Sequence, residues 1–132
     1  MILEQRCPTL LWHARGMSPA NAEIPEIEAD DAFAEVEAGA FLLDVRETDE
    51  WQSGHAPGAV HIPMGDVPAR ADELPRDRRI VAICRSGSRS RAITEALVTA
   101  GYDAANAIGG MRAWEANGFD VVTDSGAPGM VA

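Results

Sequence analysis

The feature that most constrains the fold is a short apolar run that leads through a Gly/Ser loop into a helix. Ile80 to Ile83 contains only apolar residues. Such a run is too short for a buried helix and predicts a strand covered on both faces. Apolar residues then recur at helical spacing from Arg89 to Ala100, and Gly101 follows where a left-handed cap ends a helix. This strand, loop and helix are typical of a parallel α/β sheet.

Strand and helix signals alternate along the rest of the chain. The predicted strands are Pro25–Ile27, Phe41–Val45, Val60–Ile62, Ile80–Ile83 and Ala104–Ile108. The predicted helices are Asp31–Glu37 with Asp30 as its N-cap, Thr48–Ser53, Val67–Leu74, Arg89–Ala100 and Met111–Asn117. This order predicts an α/β fold with a central parallel sheet of about five strands and helices on both faces. Ligands of such sheets bind beyond the carboxyl ends of the strands.

Cys84 lies at that edge of the sheet, after the fourth predicted strand and just before a helix. Unpaired backbone N–H groups and the positive end of the helix dipole stabilise an anion there. Gly87 allows a sharp turn, and the small residues Ser86, Ser88 and Ser90 leave the loop amides free to form an anion-binding nest. We therefore predict that the pKa of the thiol is lowered and that its thiolate is a nucleophile.

The charge pattern predicts an anionic substrate. The chain has a net charge of -10, yet residues 80 to 94 contain Arg85, Arg89 and Arg91 and no Asp or Glu. A local positive region in an acidic protein attracts small anions. The acidity argues against nucleic acid and anionic membranes as partners. The alternative for Cys84, a core thiol that packs like a small hydrophobe, fits poorly among arginines and a Gly/Ser loop.

Four separated motifs resemble those of the rhodanese family of sulfurtransferases. They are Cys84 to Ser90, Leu42 to Glu47 with Glu50-Trp51, Gly54 to Ala59 with Ile62-Pro63, and Gly109-Gly110 followed by Trp114. The resemblance covers about residues 24–122, in the family's order and spacing. It implies a rhodanese-like, single-domain thiosulfate sulfurtransferase. Sulfane sulfur would pass from thiosulfate, or from a persulfide or polysulfide donor, to cyanide or a thiol through a persulfide on one cysteine, with no cofactor.

The resemblance also implies the roles of individual residues. Cys84 would be catalytic. Arg85, Ser86, Gly87, Ser88 and Arg89 would bind substrate, although for Arg89 an ion pair that braces the loop is an equal alternative. Three residues would support the site structurally, namely Asp44, Arg46 and His55. Trp51 and Trp114 would pack in the core or wall the pocket. Three scattered histidines do not predict a metal site.

Other functions stay open at this point. Cys84 to Arg89 spans six residues, whereas the corresponding loop of the related cysteine phosphatases has seven residues and is sized for phosphate. The shorter loop favours sulfur transfer and leaves a phosphatase as a minor alternative. A sulfur-relay module that serves a dedicated partner or sulfur-carrier protein is a second alternative. A binding module without catalysis is a third, and the intact Cys84 loop argues against it.

Length and cysteine content predict the organisation and the compartment. A chain of 132 residues suits one ordinary domain. We predict a flexible N-terminal extension over residues 1–22, a rhodanese domain over 23–122 and a C-terminal tail over 123–132. The only cysteines are Cys7 and Cys84, and a disulfide would consume the nucleophile, so we expect a reducing cytoplasm. No stretch is long and apolar enough for a membrane anchor.

Overall fold

A computed structural model describes residues 24–132. Its strands are β1 (Glu26–Ile27), β2 (Phe41–Asp44), β3 (Val60–His61), β4 (Ile80–Ile83) and β5 (Ala104–Ala107). Its α-helices are α1 (Ala29–Glu37), α2 (Thr48–Ser53), α3 (Val67–Arg70), α4 (Ser88–Thr99) and α5 (Gly110–Ala116), with 3-10 helices at Met64–Asp66 and Ala71–Glu73. The predicted N-terminal extension and Cys7 lie outside the described residues.

The strands form one parallel sheet with the order β1-β5-β4-β2-β3. β4 is central, with β2 on one side and β5 on the other. Asp44 at the end of β2 is in register with Ile83 at the end of β4. The carboxyl ends of these strands therefore meet at one edge, next to Cys84. The predicted parallel α/β sheet is confirmed.

Apolar side chains fill the space on both faces of the sheet. One face packs against α3 and α4, and its buried residues include Leu43, Val67, Ile80, Ile93 and Leu97. The other face packs against α1 and α5, and its buried residues include Ala32, Leu42, Val81, Met111 and Trp114. All four residues of β4 are fully buried, as expected of a central strand covered on both faces. Helices on both faces are likewise confirmed.

Two local predictions were wrong. Helix α1 begins at Ala29, and its N-cap is Glu28, whose extended backbone precedes the helix without a side-chain cap. Asp30, the predicted cap, lies in the first turn, where its carboxylate interacts favourably with the helix dipole. The predicted helix Val67–Leu74 is divided into α3 and a 3-10 turn, and Leu74 has an extended backbone because Pro75 follows it.

The last residues of the chain fold back along the end of α2. Val122 forms antiparallel bridges with His55 and Pro128, and the N–H of Met130 donates to the carbonyl of Ser53 at 3.1 Å. This packing requires a glycine at position 54, since a Cβ there would lie 2.6 Å from the nitrogen of Met130. The chain is thereby directed towards the loop that follows β4.

Candidate active site

The Cys84 side chain accepts hydrogen bonds from the loop that follows β4. The N–H of Gly87 lies 3.0 Å from its Sγ, and the Ser90 hydroxyl lies 3.2 Å away. Cys84 is only 1% exposed, a burial that a core thiol would share. The donors around the sulfur distinguish the two interpretations, because a core thiol needs none of them. The thiol is free of any disulfide.

Opposing influences act on the pKa of the Cys84 thiol, and the net effect lowers it below its ordinary value. Burial is the largest single influence and raises the pKa, because it disfavours the charged form. Hydrogen bonds from the Ser90 hydroxyl and from the N–H groups of Ser90, Gly87 and Ser86 lower it, and together they outweigh burial. This direction agrees with the lowered pKa that the sequence predicted.

Glycines shape this loop and hold its first residues. Gly87, the N-cap of α4, has φ +112°, and a Cβ there would also lie 3.2 Å from the nitrogen of Gly109. A Cβ on Gly110 would collide with the carbonyl oxygen of Cys84 and lie 2.7 Å from that of Arg85. The start of α5 can therefore donate to the loop, with the N–H of Met111 lying 2.7 Å from the Cys84 carbonyl oxygen. The Gly109-Gly110 motif thus anchors the loop behind the nucleophile.

Arg89 forms a bidentate ion pair with Glu50. Its Nη1 and Nη2 donate to Oε1 and Oε2 at 2.8 Å and 2.9 Å. The hydrogen bond from Arg89 is the main reason why the pKa of Glu50 falls from its ordinary value of 4.5 to about 2. Glu50 also accepts from the N–H of Glu47 at 2.9 Å, which completes a capping box at the start of α2. Of the two alternatives for Arg89, this geometry supports the loop brace.

Arg85, Ser86 and Ser88 occupy the outer side of the loop. Both serines are exposed and Arg85 is half-buried. The Nε of Arg85 donates to the carbonyl oxygen of Ala132 at 2.6 Å. Arg85 and Arg112 also line a surface pocket of about 320 Å³ next to the loop. Of the five predicted substrate-binding residues, Arg85, Ser86 and Ser88 therefore lie on the outer side of the loop, Gly87 faces the sulfur, and Arg89 is paired with Glu50.

The predicted structural residues Asp44 and Arg46 form a buried ion pair at the carboxyl end of β2. Both side chains are fully buried, and Nη2 of Arg46 lies 2.8 Å from Oδ2 of Asp44. The same Nη2 donates to the carbonyl oxygen of Gly54 at 2.8 Å, and the Arg46 N–H donates to Asp44 Oδ1 at 3.0 Å. The pair therefore ties the end of β2 to the turn that follows α2.

His55, the third predicted structural residue, belongs to an aromatic stack. Its ring lies 3.5 Å from the ring of Trp51, whose other neighbour His61 lies 4.9 Å away. Its Nδ1 lies 3.0 Å from the Trp51 carbonyl oxygen, and its Nε2 lies 3.4 Å from Asp124. Trp51 is half-buried in this stack outside the two core clusters, whereas Trp114 is 2% exposed and packs in the core.

Two side chains at the centre of the site were not predicted as site residues: the Ser90 hydroxyl, which lies 3.2 Å from the Cys84 sulfur, and Asn106. Asn106 in β5 is 1% exposed, and its side chain contacts both Ser90 and Gly87. The only available signal was a lone amide in an otherwise apolar strand, Ala104–Ala107. Glu50 was noticed as part of a motif, but nothing in its surroundings revealed Arg89 as its partner.

Two negative findings apply to residues 24–132. Within that range no group of three His, Cys, Asp or Glu side chains is arranged to hold a metal ion. None of the helices there has the length and apolar character needed to span a membrane.

The fold and the loop define a class of α/β domains that place a cysteine at the carboxyl edge of a parallel sheet. The family model described as "Rhodanese-like domain" matches residues 28–117. The chain belongs to the rhodanese-like family.

Relatives and solved structures agree with this assignment. The chain is 43% identical over 95 residues to "Putative sulfurtransferase YtwF" of Bacillus subtilis, covering 70% of this chain and 92% of that protein. It is 40% identical over 96 residues to "Putative sulfur carrier protein YrkF" of the same organism, covering 70% of this chain but only 52% of the relative. A rhodanese-related protein from Thermoplasma volcanium superposes with a TM-score of 0.72 at 31% identity, covering 76% of this chain and 99% of that one. Family and relatives together support sulfurtransferase activity in general.

Proposed function

We propose that this protein transfers sulfane sulfur through a persulfide on Cys84. One observation carries the proposal: two hydrogen-bond donors lie within reach of the Cys84 sulfur, the Gly87 N–H at 3.0 Å and the Ser90 hydroxyl at 3.2 Å. These donors favour negative charge on sulfur, and a thiolate is the form of cysteine that attacks sulfur. The lowered pKa of the thiol supports the same conclusion.

The proposed reaction has two half-reactions. The Cys84 thiolate attacks the outer sulfur of thiosulfate, a new S–S bond forms, and the donor S–S bond breaks as sulfite leaves with the electron pair. Cyanide or a thiolate then attacks the outer sulfur of the Cys84 persulfide. The protein S–S bond breaks, thiocyanate or a new persulfide leaves, and the Cys84 thiolate is restored. Neither step requires a metal or an organic cofactor.

The site favours a small anionic donor. Because Cys84 is only 1% exposed, a sulfur donor has to pass the short loop after β4 to reach the Cys84 sulfur. Arg85 is half-buried on the outer side of that loop, where its guanidinium can bind thiosulfate or sulfite. Arg89 is engaged by Glu50 in a bidentate ion pair, so it braces the loop and leaves Arg85 as the arginine that binds the donor. The free thiol suits a reducing compartment such as the cytoplasm.

A sulfur relay between proteins is the second candidate. The relative YrkF carries the name of a sulfur carrier, and it is about twice as long as the region that this chain matches. A carrier protein would deliver or collect the outer sulfur at Cys84 by the same two exchanges. Thiosulfate would then be only a laboratory donor.

A panel of donors and acceptors separates these candidates. Wild type and Cys84→Ala are assayed with thiosulfate and cyanide, with thiosulfate and a thiol, and with a persulfidated protein as donor. Fast turnover with thiosulfate supports the free-standing enzyme, whereas fast transfer only from the protein donor supports the relay. Loss of all transfer in Cys84→Ala, with an unchanged thermal melt, is expected. Release of phosphate from an aryl phosphate, without any sulfur transfer, would overturn the proposal in favour of a phosphatase.

A further inference from the structure

A chain of buried polar side chains leads from the Cys84 sulfur across α4 to β5. Ser90 is fully buried and Asn106 is 1% exposed. The Ser90 hydroxyl lies 3.2 Å from the Cys84 sulfur and 2.6 Å from Oδ1 of Asn106. Buried polar groups of this kind cost free energy unless each hydrogen bond is made. The acceptor to which the Ser90 hydroxyl donates its proton therefore affects the stability of negative charge on the Cys84 sulfur.

The surroundings fix which way the Asn106 amide points. Its Nδ2 lies 2.9 Å from Oε2 of Glu26 and 3.3 Å from the carbonyl oxygen of Gly87. A carboxylate and a carbonyl only accept hydrogen bonds, so the amide nitrogen has to face both of them. Arg91 pairs with this carboxylate, its Nε lying 3.5 Å from the same Glu26 oxygen. The amide oxygen is consequently directed at Ser90.

Ser90 has one hydroxyl proton for several acceptors. Asn106 Oδ1 lies at 2.6 Å, Cys84 Sγ at 3.2 Å and the Gly87 carbonyl oxygen at 3.4 Å. A neutral thiol is a weak acceptor and can itself donate S–H to the hydroxyl oxygen. The proton then goes to Asn106. A thiolate is a strong, charged acceptor and attracts the same proton.

We propose that Asn106 is a positioning residue that keeps the Ser90 proton away from the Cys84 sulfur while that sulfur is neutral. The proton turns to the sulfur when the thiolate forms, by rotation of the hydroxyl alone, without making or breaking a covalent bond. This inference rests on the proposed function in its second half-reaction, where the sulfur bonded to Cβ is neutral in the persulfide and becomes the leaving thiolate. Ser90 then supplies a hydrogen bond at the moment when the charge develops.

The test is a double-mutant cycle on the pKa of Cys84. All variants carry Cys7→Ser, so that Cys84 is the only thiol, and the pKa is measured from the pH dependence of its alkylation rate. The four proteins are the parent, Asn106→Leu, Ser90→Ala and the double variant. Asn106→Leu removes the competing acceptor at similar volume, so we expect about tenfold more thiolate below the pKa, the equivalent of one pKa unit. Ser90→Ala should raise the pKa, because the sulfur loses a donor.

The double variant distinguishes an effect of Asn106 that passes through Ser90 from a direct effect on Cys84. If Asn106 acts through the Ser90 proton, Asn106→Leu should leave the pKa of Cys84 unchanged in the Ser90→Ala background. A shift of the same size in both backgrounds, or a raised pKa in Asn106→Leu alone, would overturn the proposal. If Asn106 has only a structural role, Asn106→Leu should shift the pKa of Cys84 equally in both backgrounds. Thermal melts of all four proteins measure the accompanying loss of stability.

A second variant covers the case in which Asn106→Leu does not fold. Glu26 is exposed at the outer end of this series of polar side chains. Glu26→Gln weakens the constraint on the Asn106 amide, because a glutamine can present either oxygen or nitrogen to it. Loss of the Glu26 charge also changes the electrostatic field at Cys84, to which Arg91 and Arg89 contribute. This direct effect on the pKa of Cys84 is the same with and without Ser90. An additional lowering of the pKa that requires Ser90 supports the proposal, and its absence counts against it. Alkylation requires no sulfur donor, so a failure of sulfur transfer and a failure of this cycle are distinguishable.

Discussion

The ion pair between Arg89 and Glu50 predicts an acid-dependent loss of stability. Its oxygens and nitrogens lie 2.8 Å and 2.9 Å apart, and the pKa of Glu50 falls to about 2 as a result. Glu50→Gln keeps the shape of the side chain and removes the charge. The variant also retains an oxygen that can accept the Glu47 N–H, so the capping of α2 is disturbed least.

The magnitude follows from the pKa of Glu50. A fall from 4.5 to about 2 corresponds to roughly 3 kcal/mol, at about 1.4 kcal/mol for each pKa unit. The Arg89 side chain is 32% exposed and that of Glu50 is 17% exposed, so solvent screening reduces the contribution to about 2 kcal/mol. Because the folded pKa is depressed, this stability is fully present above pH 4.5 and is lost as the pH falls through about 2.

Urea unfolding of wild type and Glu50→Gln at a series of pH values measures this contribution. The difference in the free energy of unfolding should be about 2 kcal/mol near neutral pH, and it should shrink as the pH falls below about 4. Glu73→Gln is the matched control, because the Arg70–Glu73 pair has similar distances but lies in solvent, and we expect little change there. A difference for Glu50→Gln that is near zero at neutral pH, or that does not vary with pH, would show that the Arg89–Glu50 pair does not stabilise the fold.

Three further substitutions test other parts of the account. Gly110→Ala places a Cβ against the Cys84 carbonyl oxygen, so sulfur transfer and thermal stability should both fall sharply, and a variant with normal turnover would contradict the role of this glycine. Asp44→Asn leaves the fully buried Arg46 charge without its carboxylate and should cost about 3–5 kcal/mol in urea unfolding, whereas a loss below about 1 kcal/mol would show that the pair is dispensable. Arg85→Ala should raise the KM for thiosulfate about tenfold with a smaller change in kcat, a loss of about 1.4 kcal/mol of binding, and an unchanged KM would remove Arg85 from the donor site.

The sequence was most informative where one local pattern decides the structure. The uninterrupted apolar residues of Ile80–Ile83 predicted β4 with its observed bounds, because only a strand buried on both faces tolerates such a run. Thr48–Ser53 was also predicted with its observed bounds. The position of Cys84 between a strand and a helix then followed directly, and with it the donors that surround the sulfur.

The sequence was least informative where partners are distant along the chain. Glu50 and Arg89 are 39 residues apart, and Asn106 is 80 residues from Glu26. No period or spacing connects such pairs, which come together only when parallel strands are placed side by side. The same holds for His61, which stacks on Trp51 and lies 2.7 Å from the carbonyl oxygen of Arg46, 15 residues away in the sequence.

Sulfur transfer by this protein depends on the Cys84 thiolate accepting a sulfur atom. The direct measurement is the mass of the reduced Cys7→Ser protein after incubation with thiosulfate, followed by peptide mapping and treatment with cyanide. We predict a gain of one sulfur atom on the peptide that contains Cys84, and its removal as thiocyanate when cyanide is added. A folded, reduced protein whose mass stays unchanged with thiosulfate, with polysulfide and with a persulfidated protein would contradict the account.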